Sequence, residues 1–201
     1  MTGTTTKSEG GSGMSEIRDS MRELMGEVLA RRDTDPRYRA GVARGLDMMT
    51  EHYAYPWVLR FVDQEKDKAA YLRAAGLCAA YRDIPQAGKP LGASLRALSL
   101  HRSGKKSLDP ADPDVIASRL AGLQGQDLEN AAATIRRFLD LARGSGVGFD
   151  FYRIGRLLSR WGNGFTEASQ KVRSTTIGDY YGAWTFDAAG TSNDNPAGEL
   201  N

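Results

Sequence analysis

The chain has 201 residues, enough for one domain or two small ones with a buried core, and it is 40% hydrophobic and 26% charged. That composition excludes disordered and fibrous classes, and no stretch reaches the roughly 18 to 20 apolar residues of a membrane span. The net charge of +2 hides an uneven distribution: Arg96 to Arg173 carries thirteen basic against eight acidic residues, whereas no Lys or Arg follows Ser174.

Residues 1–13 are dominated by Thr, Ser and Gly, too polar to offset the entropy of ordering, and read as a flexible tail. They contain no apolar segment of a secretory signal, so cytoplasm is the expected compartment. From Ile17 the period is helical, with Met21, Leu24, Met25 and Val28 on one stripe and Arg31-Arg32 at the helix end, where cations suit the macrodipole. Asp35-Pro36 predicts a capped restart carrying Tyr38, Val42, Leu46 and Met49. Pro56 begins another long run to about Tyr81, with a break expected near Asp63 to Asp67, and Ile84 to Pro90 is a loop. A helix over Leu91 to His101 is followed by the polar loop 102–111, read as the boundary between two subdomains, 14–101 and 112–181. Asp112-Pro113, Asp127 and Asp150 each predict a further helix start, and Gly144 a stop. Residues 182–201 read as a second flexible tail. No period-two run of β-branched residues occurs, so the predicted fold is all-α, two small helical-bundle subdomains with seven or eight helices.

One cysteine, Cys78, rules out a disulfide framework and multi-thiolate metal sites. His52 and His101 have no metal-ligand spacing, the aspartates are explained as caps and surface charge, and Gly144-Ser-Gly-Val-Gly148 follows a helix rather than a strand. No cofactor, metal or catalytic residue is predicted.

The informative pattern is arginine on helical faces. Rotation by 100° per residue places Ile154, Leu157, Leu158 and Trp161 in one arc and Arg153, Arg156 and Arg160 opposite, with no acid among the three. Like charges so spaced repel, which suits a phosphate-binding face better than a purely stabilising one; a solvated face screened by salt is the alternative. Arg136 and Arg143 share a flank of the preceding helix, Arg137 points away from its core, and Asp140 lies within reach of Arg136 and Arg143 as an ordinary surface partner.

The order Lys89-Pro-Leu-Gly-Ala-Ser-Leu-Arg-Ala-Leu, then Thr134-Ile-Arg-Arg-Phe-Leu, Gly148-Phe-Asp-Phe and Ile154-Gly-Arg-Leu-Leu-Ser-Arg-Trp-Gly162 resembles the CasB family, the small subunit of the type I-E CRISPR surveillance complex, Cascade. Leu29-Ala-Arg-Arg32 and Ala69 to Cys78 extend the resemblance over most of the folded body. It implies an all-helical, two-subdomain, non-enzymatic protein that associates with a second copy of itself, beside the guide-RNA-bound backbone subunits and the large subunit. It also implies basic residues that hold the single DNA strand displaced when guide pairs with target. Matched residue by residue, that role falls on Arg96, Arg136, Arg137 and Arg156, and through a looser alignment on Arg31, Arg32 and Arg119. Arg153 and Arg160 join them from the helical face, and Arg143 from its flank beside Arg136. The competing expectation is an assembly module whose arginines pair with acidic patches on partner proteins.

Overall fold

The protein is all-helical in the computed structural model, which describes the backbone of residues 13–182 and the side chains of residues 20–182. The tails expected at 1–13 and 182–201 lie outside the described residues, save Gly13, which opens the first helix, and Gly182, which ends the last. The α-helices are α1 (Gly13–Arg31), α2 (Pro36–Ala43), α3 (Tyr55–Val58), α4 (Lys68–Ala80), α5 (Leu91–Ser103), α6 (Val115–Leu123), α7 (Leu128–Ala142), α8 (Phe151–Ser159) and α9 (Glu167–Tyr181). Four single 3₁₀ turns lie between α2 and α4, and an isolated bridge between Gln86 and Phe149 is the sole β pairing among the described residues. Among the described residues the helix count exceeds the expected seven or eight, because the run from Trp57 is cut and α9 is additional. Val62 and Gln64 adopt extended backbone, and between Val62 and Ala69 no apolar side chain exists to bury a continuous helix against the core. Likewise α2 stops at Ala43, so Met49 leaves the expected stripe and is exposed.

Short acceptor side chains start the helices as the spacing predicts. Backbone N–H groups donate to Asp35 from Tyr38 (2.9 Å), to Asp127 from Asn130 (2.8 Å) and to Asp150 from Arg153 (3.1 Å). The expected cap at Asp112 is corrected to Asp114, whose Oδ1 accepts from Ile116 (3.0 Å) and Ala117 (2.8 Å). Tertiary partners decide the choice. Ser99 and Tyr180 also donate to Asp114, whereas Asp112 is exposed beside Lys105. Burial raises the Asp114 pKa, but these donors outweigh it and hold the carboxyl below its ordinary value.

α4 lies at the centre of the molecule and is buried on every side from Ala70 to Ala79. Its alanines and Gly76 let neighbours approach closely; a Cβ on Gly76 would sit 2.9 Å from the Leu46 nitrogen. α1, α2, α7 and α8 all pack against it. In its middle the Arg73 side chain is 2% exposed and meets Glu51 at 2.8 Å and Glu129 at 2.6 Å. It also donates to the Gly45 carbonyl at 2.6 Å.

Packing runs across residues 102–111 in both directions. α8 lies on α1 and α4, and α5 lies along α9. The α5–α9 approach requires Gly92, where a Cβ would come within 2.1 Å of the Thr176 carbonyl oxygen. The loop before α5 anchors the start of α8. The Phe149 N–H donates to the Pro85 carbonyl (2.9 Å), and the Gln86 side chain donates to Asp150 (3.1 Å) while accepting from the Phe151 N–H (3.1 Å).

Two measurements probe this core. Arg73→Ala leaves two carboxylates without their cation and is expected to lower unfolding free energy by about 3–5 kcal/mol, read by urea titration; a loss under about 1 kcal/mol refutes a central role for this cluster. Cys78 is fully enclosed, and burial pushes its thiol up to about 12. It is therefore expected to resist a thiol reagent at pH 8 in the native state and to react once urea unfolds the chain, monitored through release of the coloured thiolate.

Candidate nucleic-acid interface

α8 is short but strongly two-faced. Phe151, Ile154, Gly155 and Leu158 are buried, and Trp161 continues them into the core, where its indole N–H donates to the Gln126 carbonyl at 2.9 Å. Gly155 gives room to Met21 and Met25 of α1. The opposite face carries Arg153, Arg156 and Arg160, all exposed. Leu157, expected in the buried arc, is half-buried instead and turns toward a groove.

That groove runs between α8 and α9, with a volume of about 660 Å³. Leu91, Leu157 and Val172 are among its apolar lining, Arg153 and Arg156 line it from α8, Arg160 from the residue that ends α8, and Lys171 from α9. Arg153 lies 3.3 Å from Asp150, the acid that caps its own helix, while the Arg156 side chain has no hydrogen bond or ion pair with another described residue. Asp179 also lines the groove. Partial burial raises its carboxyl pKa above the ordinary value, and the Arg153 charge only partly counteracts this.

α9, the second wall, escapes sequence reading because its inward face is largely polar: Ser169, Arg173 and Thr176 are buried alongside Tyr180. The signals that mark it are Thr166, whose hydroxyl accepts from the Ser169 N–H (3.3 Å), and Gly182 in the left-handed conformation at its end. Arg173 holds this helix in place. It is 5% exposed, stacks 4.6 Å over the Trp161 ring and donates to the Trp161, Gly162 and Gln124 carbonyls, joining the ends of α6 and α8 to α9. Burial lowers its pKa.

The remaining predicted arginines do not converge on the groove. Arg32 is taken out of contention: it is 5% exposed, donates to the Cys78 carbonyl (3.0 Å) and lies 5.0 Å over the Phe151 ring. Arg31 is bound to Glu27 (3.0 Å) and Asp35 (2.7 Å) and covers the Tyr38 ring at 4.0 Å, which leaves little for a phosphate. Arg143 meets Asp83 (3.6 Å) and Asp140 (4.0 Å) and rims a separate depression with Arg39 and Arg82. Arg119 on α6 and Arg136 and Arg137 on α7 are exposed, and Arg96 on α5 is half-buried. None of these four lines the groove. Among the described residues no group of three or more His, Cys, Asp or Glu could hold a metal ion. No described helix is long and apolar enough to cross a membrane.

Comparison with known proteins agrees with this architecture. Residues 38–181 match the family model of CRISPR-associated protein Cse2. Among solved structures, a chain of a CRISPR RNA-guided surveillance complex is 24% identical with a TM-score of 0.65, over 82% of this chain and 93% of that one. CasB from Thermus thermophilus is 22% identical with a TM-score of 0.57, over 84% and 97%. CasB from Thermobifida fusca is 20% identical with a TM-score of 0.57, over 83% and 96%. At such identities the likeness shows a common fold. No curated protein matches the chain in sequence.

Asp179 provides a test of the groove's electrostatics. A group whose folded pKa is raised favours folding below its ordinary pKa of 3.8, and that contribution is lost as pH rises through the folded value. Asp179→Asn is therefore expected to raise Tm at pH 7, with the gain shrinking as pH is lowered to about the ordinary pKa. A Tm difference independent of pH refutes the assignment.

Proposed function

The chain belongs to the Cse2 family of CRISPR-associated proteins, and from that membership we propose that it is a non-catalytic subunit of an RNA-guided CRISPR surveillance complex in antiviral defence. In this reading it stabilises the R-loop by holding the displaced DNA strand. Its partners are that strand, the guide-RNA ribonucleoprotein with its backbone and large subunits, and a second copy of itself. The observation that carries the reading is the groove between α8 and α9, where three arginines from one helix face a lysine from the other.

The chemistry suits the task. Replacing a DNA duplex with a guide–target hybrid is a near-balanced exchange, so a modest grip on the released strand tips it without bond making or breaking. Guanidinium groups hold phosphates through paired N–H donors, contacts that carry no sequence information. Their placement on helices fixed to the core, rather than on a loop, keeps the cations together before the strand arrives, so little ordering entropy is spent on binding.

The second reading, an assembly module, is favoured by a different observation: Met48 and Met49 are exposed together with Tyr53 on the segment after α2. Mutation separates the two. With four groove cations each neutralising one phosphate, log affinity for a single-stranded oligonucleotide falls with log salt at a slope of about −3, by the roughly 0.7 per phosphate rule. Replacing Arg153, Arg156 and Arg160 together with Gln is expected to flatten the slope by about 2 and to weaken binding at low salt, while incorporation into the complex survives. Unchanged DNA affinity with lost incorporation favours the assembly module.

A further inference from the structure

The turn joining α8 to α9 presents a phenylalanine to solvent. Phe165 is 87% exposed, the most exposed of the large apolar side chains described. The turn around it is nonetheless built to hold a definite shape. Gly162 and Gly164 have φ of 57° and 84°, conformations that L side chains rarely adopt. A Cβ on Gly164 would lie 2.7 Å from the Arg173 guanidinium, so the buried arginine shapes the turn from beneath. The Phe165 N–H donates to Asn163 Oδ1 at 2.9 Å, and the Gly164 N–H donates to Ser169 Oγ at 3.0 Å. Ser169 Oγ in turn donates to the Trp161 carbonyl.

The position of this ring relates it to the cations. In sequence it lies between Gly164, which lines a depression shared with Gln170 and Lys171, and Thr166, which lines the arginine groove. Lys171 lines both concavities. An exposed aromatic held on a fixed turn beside a cationic groove is the pairing that sequence-neutral single-strand binders use, phosphates on the cations and a base on the ring. A protein partner would also bury a Phe, but the groove's four cations, set against the single acid Asp179, favour an anionic chain carrying flat apolar faces.

We infer that Phe165 is a stacking platform for one unpaired base of a single strand whose phosphates run along Arg153, Arg156, Arg160 and Lys171. This rests on the groove being a nucleic-acid site. It adds a salt-independent component that arginines alone do not provide, because stacking releases no counterions. The platform carries no base preference of its own, since every base has a π-face.

The experiment uses the full chain at low salt with a thymidine oligonucleotide and an abasic oligonucleotide of equal length. Phe165→Ala, with its melting temperature checked against wild type, is expected to bind the thymidine strand about fivefold more weakly, at the lower end of what one base–aromatic stack is worth, with an unchanged salt slope. On the abasic strand it should match wild type. Phe165→Trp, read above the background of the three native tryptophans, should be quenched by the thymidine strand and not by the abasic one. If Phe165→Ala binds both strands as wild type does while the triple-arginine variant loses affinity, the platform is refuted and the groove stands. Loss of incorporation into the complex without loss of strand affinity refutes it also, in favour of a protein contact. Failure of wild type to bind either strand overturns the groove and the platform together.

Discussion

A single cation enclosed at the centre of the molecule constrains the rest. Arg73 occupies the middle of a helix whose other buried residues are alanine, glycine, leucine, Tyr71 and Cys78, and its side chain is almost wholly enclosed. A charge so placed is tolerable only when carboxylates and carbonyls surround it. Glu51 comes from the 3₁₀ turn before α3, Glu129 from the first turn of α7, and the Gly45 carbonyl from the 3₁₀ turn after α2. The 45–51 segment and the start of α7, far apart in sequence, are thereby placed about one point. An apolar core would supply comparable stability without choosing among the ways alanine-rich helices can pack, and directional bonds to one guanidinium do choose. Holding the start of α7 in place also positions α8, because a short glycine turn joins the two, and the outer face of α8 carries the groove arginines.

Arginine serves three purposes here, and chemistry near each residue decides which. Arg32 and Arg173 are interior clamps that satisfy backbone carbonyls, so they behave as oversized hydrogen-bond donors with an aromatic ring against one face. Arg31 and Arg143 are surface groups already held by acids. Arg153 and Arg156 keep exposed guanidinium groups, the first leaning on its own cap and the second without a described partner. At Arg156 a phosphate would displace no described partner, whereas at Arg153 it would compete with Asp150.

This division explains what could be read from residues alone. The helices, three of the aspartate caps and the two-faced character of α8 follow from local spacing, and all were legible. Arg32 was not, because its neighbour Arg31 looks identical in sequence, and only the approach of α4 and α8 buries one and leaves the other at the surface. The cap at Asp114 rather than Asp112 was invisible for the same reason, since Ser99 and Tyr180 arrive from other helices. α9 was hidden because the residues it turns inward are serine, threonine and arginine, so the apolar period that marks a buried face is missing. With α9 unseen, Lys171 and the second wall of the groove were unseen too. Half of the candidate site was therefore readable from one helix, and the other half is a product of tertiary packing.

In the proposed function, grip and neutrality to sequence are compatible. Its cations stand on α8 and α9, elements braced from behind by Trp161, Arg173 and Gly92, so the surface offered to a strand does not depend on the strand to assemble it. Its apolar lining, Leu91, Leu157 and Val172, offers no donor or acceptor, and in the proposed function the guanidinium groups address phosphates common to all sequences. Asp179 lines the same groove, and its half-buried carboxylate would repel the phosphates that the proposed function brings to the arginines. Under the proposed function, a strand in such a groove would bias a near-balanced exchange and would leave when salt or a competing duplex favours departure.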